Sequence, residues 1–295
     1  ITGDGLRFFD SGGQAGGIYN ESSATHVLNV AINGDGTDQS FQIHLNNTGG
    51  LTFGSTVNNQ GTTIEILGSA AGAKTVTFSG IVSGAGGMFV NNANATVLFD
   101  ATNTQSGQLT INAGTVRLGS TGDTFGASTQ AIRIGTGASL DLNNFSTIVG
   151  SVGEEGTGDG GTISLGSATL TVGGSATTFQ NSISGTGGIT HTGSGTLNLY
   201  GSQGYTGTTS VSDGTIATSV AMSSATYSIT GTGIFSTSAA DLISDTASMT
   251  LGGGTLSIGG AETFGNNGVT LSTSTSSTIS VGSELTASVS GTVTG

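Results

Sequence analysis

The stretch Phe179-Gln180-Asn181-Ser182-Ile183-Ser184-Gly185-Thr186-Gly187-Gly188-Ile189 sets two apolar residues four apart, follows them with a glycine box, and leads into alternating strand. Phe78-x3-Val82-Ser83-Gly84-x-Gly86-Gly87-Met88 has the same frame. Glycines at such positions permit positive φ and close backbone approach, which sharp turns between successive strands require. A strand-and-turn signal that recurs in one frame predicts an elongated stack of coils rather than a globule with a pocket.

Outward from these two copies, the repeat reaches further along the chain. A degraded copy reads Phe41-x3-Leu45-Asn46-Asn47-x-Gly49-Gly50-Leu51. Between the two clear copies the offset is 101 residues (Phe78 to Phe179), and it slips to 100 where Thr96 aligns with Thr196. Gly107 then aligns with Gly207, Ile111 with Val211, and Gly114-Thr115-Val116 with Gly214-Thr215-Ile216. A fourth copy opens at Val289-Ser290-Gly291 and stops at Gly295, so the expectation is a stack that continues in a longer parent chain, with self-assembly at an open end as the competitor. The expected organisation is an N-terminal cap or irregular first coil over residues 1–33 and a solenoid over 34–295. Its repeats fall near 41–53, 78–118 and 179–216, with the truncated copy from 289. Coils of roughly 20 to 25 residues with rungs about 4.8 Å apart predict on the order of 12 to 14 coils and a rod about 60 Å long.

Composition narrows what such a rod can do. The chain has 295 residues with 55 Gly and no Pro, Cys or Trp, and 34% hydrophobic residues imply a thin core. Low charge and abundant Gly, Ser and Thr suit a flexible low-complexity segment, but strict alternation argues against one. Thr75-Val76-Thr77-Phe78, Thr169-Leu170-Thr171-Val172, Thr196-Leu197-Asn198-Leu199 and Thr255-Leu256-Ser257-Ile258 each put their apolar residues on one side of a strand. The net charge is −13, and Arg7, Lys74, Arg117 and Arg133 are the whole cationic inventory. Phosphate neutralisation needs clustered Lys and Arg, so nucleic acid is not an expected partner, nor is an anionic membrane surface. No apolar run is long enough to span a bilayer as a helix.

The stretch from Gly185 through Gly187-Gly188-Ile189-Thr190-His191-Thr192-Gly193-Ser194-Gly195-Thr196 to Gly214-Thr215-Ile216 resembles the passenger-associated transport repeat, also called the autotransporter-associated β-strand repeat. Phe78 to Leu118 is a weaker match. It keeps the box and the closing Gly114-Thr115-Val116-Arg117-Leu118, but has Asn91-Asn92-Ala93-Asn94 in place of the usual Thr-Gly-x-Gly turn. The resemblance implies an all-β fold, a right-handed parallel β-helix forming a single elongated body, in the exported part of a bacterial surface protein. It transfers no catalytic residue.

A search for chemistry yields no catalytic, cofactor or metal residues to assign. The three histidines, His26, His44 and His191, read as solvent-facing or capping groups, and no zinc-type spacing joins them. Asn33-Gly34-Asp35-Gly36-Thr37-Asp38 resembles the start of a calcium loop, but the twelfth position is His44 rather than a bidentate Glu. Glu154-Glu155-Gly156-Thr157-Gly158-Asp159 reads as a solvated acidic loop. Acids are scattered and bases scarce, which suits neither polysaccharide hydrolysis nor elimination on acidic sugars. Tyr200 and Tyr205 flank a turn and suggest either a small contact site or plain turn packing. Asn20, Asn46, Asn94 and Asn144 head chance sequons. Lys74, the sole lysine, limits any isopeptide staple to one. Residues 220–295 include Ala221 to Tyr227 and Asp241 to Ser248, where the strand rhythm breaks, and a short helix or an excursion is expected there.

The sequence therefore points to a non-enzymatic structural or adhesive solenoid at a bacterial cell surface. Its expected partners are a homopolymer or longer parent chain, and a glycan or host surface reached through loops such as Gly150 to Gly161.

Overall fold

The computed structural model describes residues 6–10, 15–34, 40–68, 71–156, 161–174, 177–265, 268–271, 275–282, 287–289 and 293–294. One turn shows how the chain winds. Thr177–Phe179 lies on a first face, Ser182–Gly185 on a second and Gly188–His191 on a third. Thr196–Leu199 then returns to the first face, where Leu197 stands opposite Thr177. The chain makes about 12 such turns and forms a parallel β-solenoid.

Period-2 alternation sends every second side chain inward, and parallel stacking brings like residues together one turn apart. On the first face Ile18, Ile43, Ile66, Val90, Ile111 and Ile134 form one ladder. On the second face the ladder runs Leu51, Val76, Val97, Val116, Leu140, Ile163 and Ile183. The third face aligns Val149, Val172, His191, Val211, Ile229 and Leu251. All these side chains are buried. Turn length varies: the turn from Ile18 to Ile43 is longer than the one from Leu199 to Thr218, and the corners absorb the difference.

The interior is narrow, so large rings fit only by stacking along the axis. Phe53 and Phe78 stack with centroids 5.0 Å apart, Phe78 and Phe99 follow at 5.6 Å, and Phe125 closes the row edge-on at 6.2 Å. Offset and edge-on arrangements are the ones the ring quadrupole favours. Leu6–Asp10 pairs antiparallel with Ala15–Asn20, the one antiparallel strand ladder among the described residues, and lies along the edge of that first-face strand.

The three glycine-pair copies occupy the three different corners. Gly49-Gly50 leads into Leu51–Phe53 on the second face, Gly86-Gly87 into Met88–Phe99, whose opening residues Met88 to Val90 lie on the first face and whose end turns onto the second, and Gly187-Gly188 into Gly188–His191 on the third. The first glycine of each pair lies under the preceding turn. A Cβ there would come within 2.1 Å of the Ala24 carbonyl oxygen at Gly49, 2.0 Å of Thr62 O at Gly86 and 1.8 Å of Ala168 O at Gly187. The second glycine lies close to the following turn, at Thr75, Gln108 and Thr208. The box is thus a corner piece of a three-sided stack. The offset between the two clear copies moves it round by one face, placing Phe78 on the second face and Phe179 on the first.

No helix occurs among the described residues, so the expectation of a short helix beyond residue 220 is corrected. There the second face narrows to single bridges, Gln203 to Met222 and Met222 to Ile243, while the other two faces continue unbroken. The weak rhythm of Ala221 to Ser224 and Asp241 to Ser244 reflects a shortened strand. Among the described residues the first face has one discontinuity, between Ser151–Glu154 and Thr177–Phe179. A strand ladder gives way there to a hydrogen bond from the Thr177 hydroxyl to the Val152 carbonyl.

Candidate functional site

The structure moves several residues away from their sequence reading. His191 is fully buried rather than solvent-facing, because it takes an inward position between Val172 and Val211 in the third-face ladder. Its ring nitrogens each lie 3.0 Å from a main-chain carbonyl, Nδ1 at Val172 and Nε2 at Gly195, so a ring N–H inside the apolar column finds an acceptor in either tautomer. Tyr205 is also buried, its hydroxyl 2.7 Å from the Thr209 hydroxyl, and burial pushes its ionisation far up. Tyr200 is 44% exposed, so the two tyrosines do not form a shared contact site. Lys74 is 3% exposed and its ammonium donates to the Gly72 carbonyl at 2.9 Å.

Of the candidate calcium loop, residues 35–38 lie outside the described residues, as do 157–159 of the acidic run. Glu154 accepts hydrogen bonds from the main-chain and side-chain amides of Gln180. Among the described residues no group of three or more His, Asp or Glu side chains is placed to hold a metal ion. None of their helices is long and apolar enough to cross a membrane, a statement that leaves strands aside.

Buried amides at the corners escaped the sequence reading. Asn59 grips the box glycine of the next turn, donating to the Gly86 carbonyl at 2.8 Å and accepting its N–H at 3.0 Å. Asn20 donates to the carbonyls of Gly49 and Gly50 at 3.2 and 2.9 Å. At the third corner the Gly166 carbonyl takes over, accepting from the N–H groups of Thr186 and Gly187. A usable signal was available: an Asn placed one turn ahead of a glycine pair, as Asn20 is to Gly49-Gly50 and Asn59 to Gly86-Gly87. Asn20 is fully buried, so its sequon is structural. Near the far end, Glu262 is 2% exposed and accepts from Leu242 N at 3.1 Å and Ile243 N at 3.4 Å. Burial raises its proton affinity; the two N–H groups oppose this, and Asp241 and Asp245 add to it.

The outward rows divide the surface chemically. On the third face one row reads Thr171, Thr190, Ser210, Ser228, Thr250 and Thr270, all hydroxyls. On the first face, over the earlier turns, the corresponding row reads Gln42, Glu65, Phe89, Thr110, Arg133 and Gly153. Neighbouring rungs here carry an amide, a carboxylate, a phenyl ring, a hydroxyl and a guanidinium. Gln42 Nε2 donates to Glu65 at 2.9 Å, and Gln42 Oε1 lies 3.0 Å from His44 Nε2. His44 in turn stacks on Tyr19, ring centroids 4.4 Å apart; burial lowers its proton affinity while Glu65 opposes this. Beside the row runs an open trough of about 570 Å³, floored by Gly86, Gly87 and Gly107 and walled by Glu65, Phe89 and Gln108. Arg133 makes no hydrogen bond or ion pair with a described residue, and its guanidinium lies over Gly153, where a Cβ would sit 1.9 Å from Nη1.

A three-faced parallel stack with glycine-pair corners and hydroxyl-rich outer rows is a β-solenoid, a fold consistent with an autotransporter passenger repeat. Over 214 residues the chain is 32% identical to the adhesin BmaC autotransporter of Brucella suis biovar 1 (strain 1330). The match covers 70% of this chain and 6% of that adhesin. This homology indicates an extracellular, cell-surface location. No known family profile matches the chain, and no solved structure does.

Proposed function

We propose that this chain is a stiff, non-enzymatic scaffold at the bacterial surface that presents adhesive side chains on its outer faces. The observation that supports the reading most directly is the continuity of the ladders: the second-face ladder runs from Leu51 to Ile183 and the third-face ladder from Val149 to Leu251. Each turn is tied to its neighbours by main-chain hydrogen bonds along the axis, so bending requires opening a rung. About 12 turns at about 4.8 Å each make a rod of roughly 60 Å. The adhesin relative supports the adhesive half of the reading.

Display of the chain on a non-adherent bacterial strain tests this. Expected is a gain in attachment to epithelial cells or matrix-coated plates over a strain displaying an unrelated solenoid. Equal attachment by the two strains would overturn the adhesive half. A second reading, a binding module recognising glycan or host protein, is supported by the mixed chemistry of Gln42 to Arg133 on a strand face, beside the loop Gly150 to Gly161 that the sequence suggests. Self-association of copies belongs to the same proposal, and analytical ultracentrifugation of the purified chain tests it, a strict monomer under all conditions counting against it.

A further inference from the structure

Two outward rows are chemically mixed. On the second face Leu98, Arg117 and Asp141 follow one another, but there the guanidinium is already held by Asp141 and Asn143. On the first face five successive rungs carry Gln42, Glu65, Phe89, Thr110 and Arg133, and the guanidinium has no such partner among the described residues. Side chains on one row of a parallel stack are held about 4.8 Å apart by the ladder, a spacing close to the length of one pyranose in an extended glycan. A linear oligosaccharide lying along the axis therefore meets a new side chain with each sugar.

The side chains suit that ligand in kind. Phe89 is half-buried at the trough edge and offers a ring for the apolar C–H face of a sugar. Gln108 is exposed, lines the same trough and is oriented by donating to the hydroxyl of buried Thr110 at 2.8 Å, which leaves its amide oxygen to meet a sugar hydroxyl. Glu65 is oriented by Gln42, which is braced in turn against His44 and Tyr19. Arg133 stands two rungs beyond Phe89 and its guanidinium reaches on over Gly153, into a second open depression lined by Glu154, Thr178 and Asn198, so the fork lies about 14 Å along the axis from Phe89 and is uncommitted among the described residues. An arginine fork binds a carboxylate through two parallel hydrogen bonds. In a chain with four cations and a net charge of −13, this is the one positive group on that row.

We propose that this row is a binding site for an extended glycan bearing a carboxylate, a uronic or sialic acid, with the acidic sugar on the Arg133 guanidinium and a sugar about three residues away stacked on Phe89. The inference rests on the adhesive reading above and names the ligand class for one face.

The test uses the full 295-residue chain on a printed array of linear oligosaccharides that are uronate-bearing, sialate-bearing or neutral. Expected are signals confined to carboxylate-bearing glycans. Phe89→Ala and Arg133→Met should each weaken them at least about tenfold, Arg133→Lys should recover part of the loss, and Ser228→Ala on the third face should leave them unchanged. These side chains point outward, and a circular-dichroism melt of each variant checks that the fold is retained. Absence of signal on any acidic glycan overturns the proposal, as do equal signals on neutral glycans or binding that survives both Phe89→Ala and Arg133→Met. If the array fails while the displayed chain still attaches to cells, the glycan site falls and the adhesive scaffold stands. If attachment fails as well, both fall.

Discussion

At the residue scale the fold depends on a few positions where no substitute fits. Gly185 has φ +128° and Gly84 has φ +107°, and both open a box; a side chain there meets left-handed strain of about 1–3 kcal/mol. Gly187 is more constrained still, because a Cβ would lie 1.8 Å from a main-chain oxygen that cannot swing aside. Gly187→Ala is therefore expected to destabilise by at least about 2 kcal/mol, read as a lower midpoint in urea. Asn59→Ala removes both partners of Gly86 inside the corner and should cost about 1–3 kcal/mol by the same measurement. Glu262 supplies the pH dependence. Its folded proton affinity is raised, so the native state holds more protons than the unfolded chain above the ordinary carboxylate range. The contribution of Glu262 to stability is then fully present below the ordinary carboxylate range and is lost as pH rises from that range through the raised value. Wild-type and Glu262→Gln thermal midpoints measured across a pH series should accordingly diverge, the wild type losing more as pH rises above the carboxylate range.

At the element scale the unit is one strand with the corner that follows it, stabilised only by the turns above and below. The phenylalanine row shows the size of such packing. Phe78 sits between Phe53 and Phe99 at 5.0 and 5.6 Å, and Phe78→Ala should cost about 3–5 kcal/mol. Limited proteolysis should then place the first cuts in the turns flanking Phe78, since each turn contacts only its neighbours. The strands themselves were legible from their alternation, as in Thr169–Val172 and Thr255–Ile258. His191 was not legible, because a histidine next to a glycine corner looks polar and exposed until the ladder places it between Val172 and Val211. The shortened second-face segments at Met222 and Ile243 were misread for a related reason: a single bridge leaves too little alternation to recognise.

At the scale of the whole molecule, stability is a sum over turns and their interfaces. Deleting one full turn, residues 197–215, would bring Thr177–Phe179 under Ile216 in the register that Leu197 now holds. The shortened chain is expected to keep its β spectrum and melt within a few degrees of the parent, whereas deleting about half a turn would rotate every later strand onto the wrong face. A circular-dichroism melt of both deletions checks this, and equal damage from the two would refute face-specific stacking. The candidate glycan row was invisible in the linear order, since Gln42, Glu65, Phe89, Thr110 and Arg133 are each a full turn from the next and align only through turn lengths.

The amino-acid sequence by itself determined that the chain is all-β, repetitive, thin-cored and poor in catalytic groups, because alternation and glycine boxes are local signals that act over short stretches. Only the tertiary structure decided which corner each box occupies, which polar residues point inward and which outward side chains share a row. Those outcomes depend on the accumulated length of every turn. A single insertion or deletion at a corner shifts the register of the next strand, and no short stretch of sequence carries that sum.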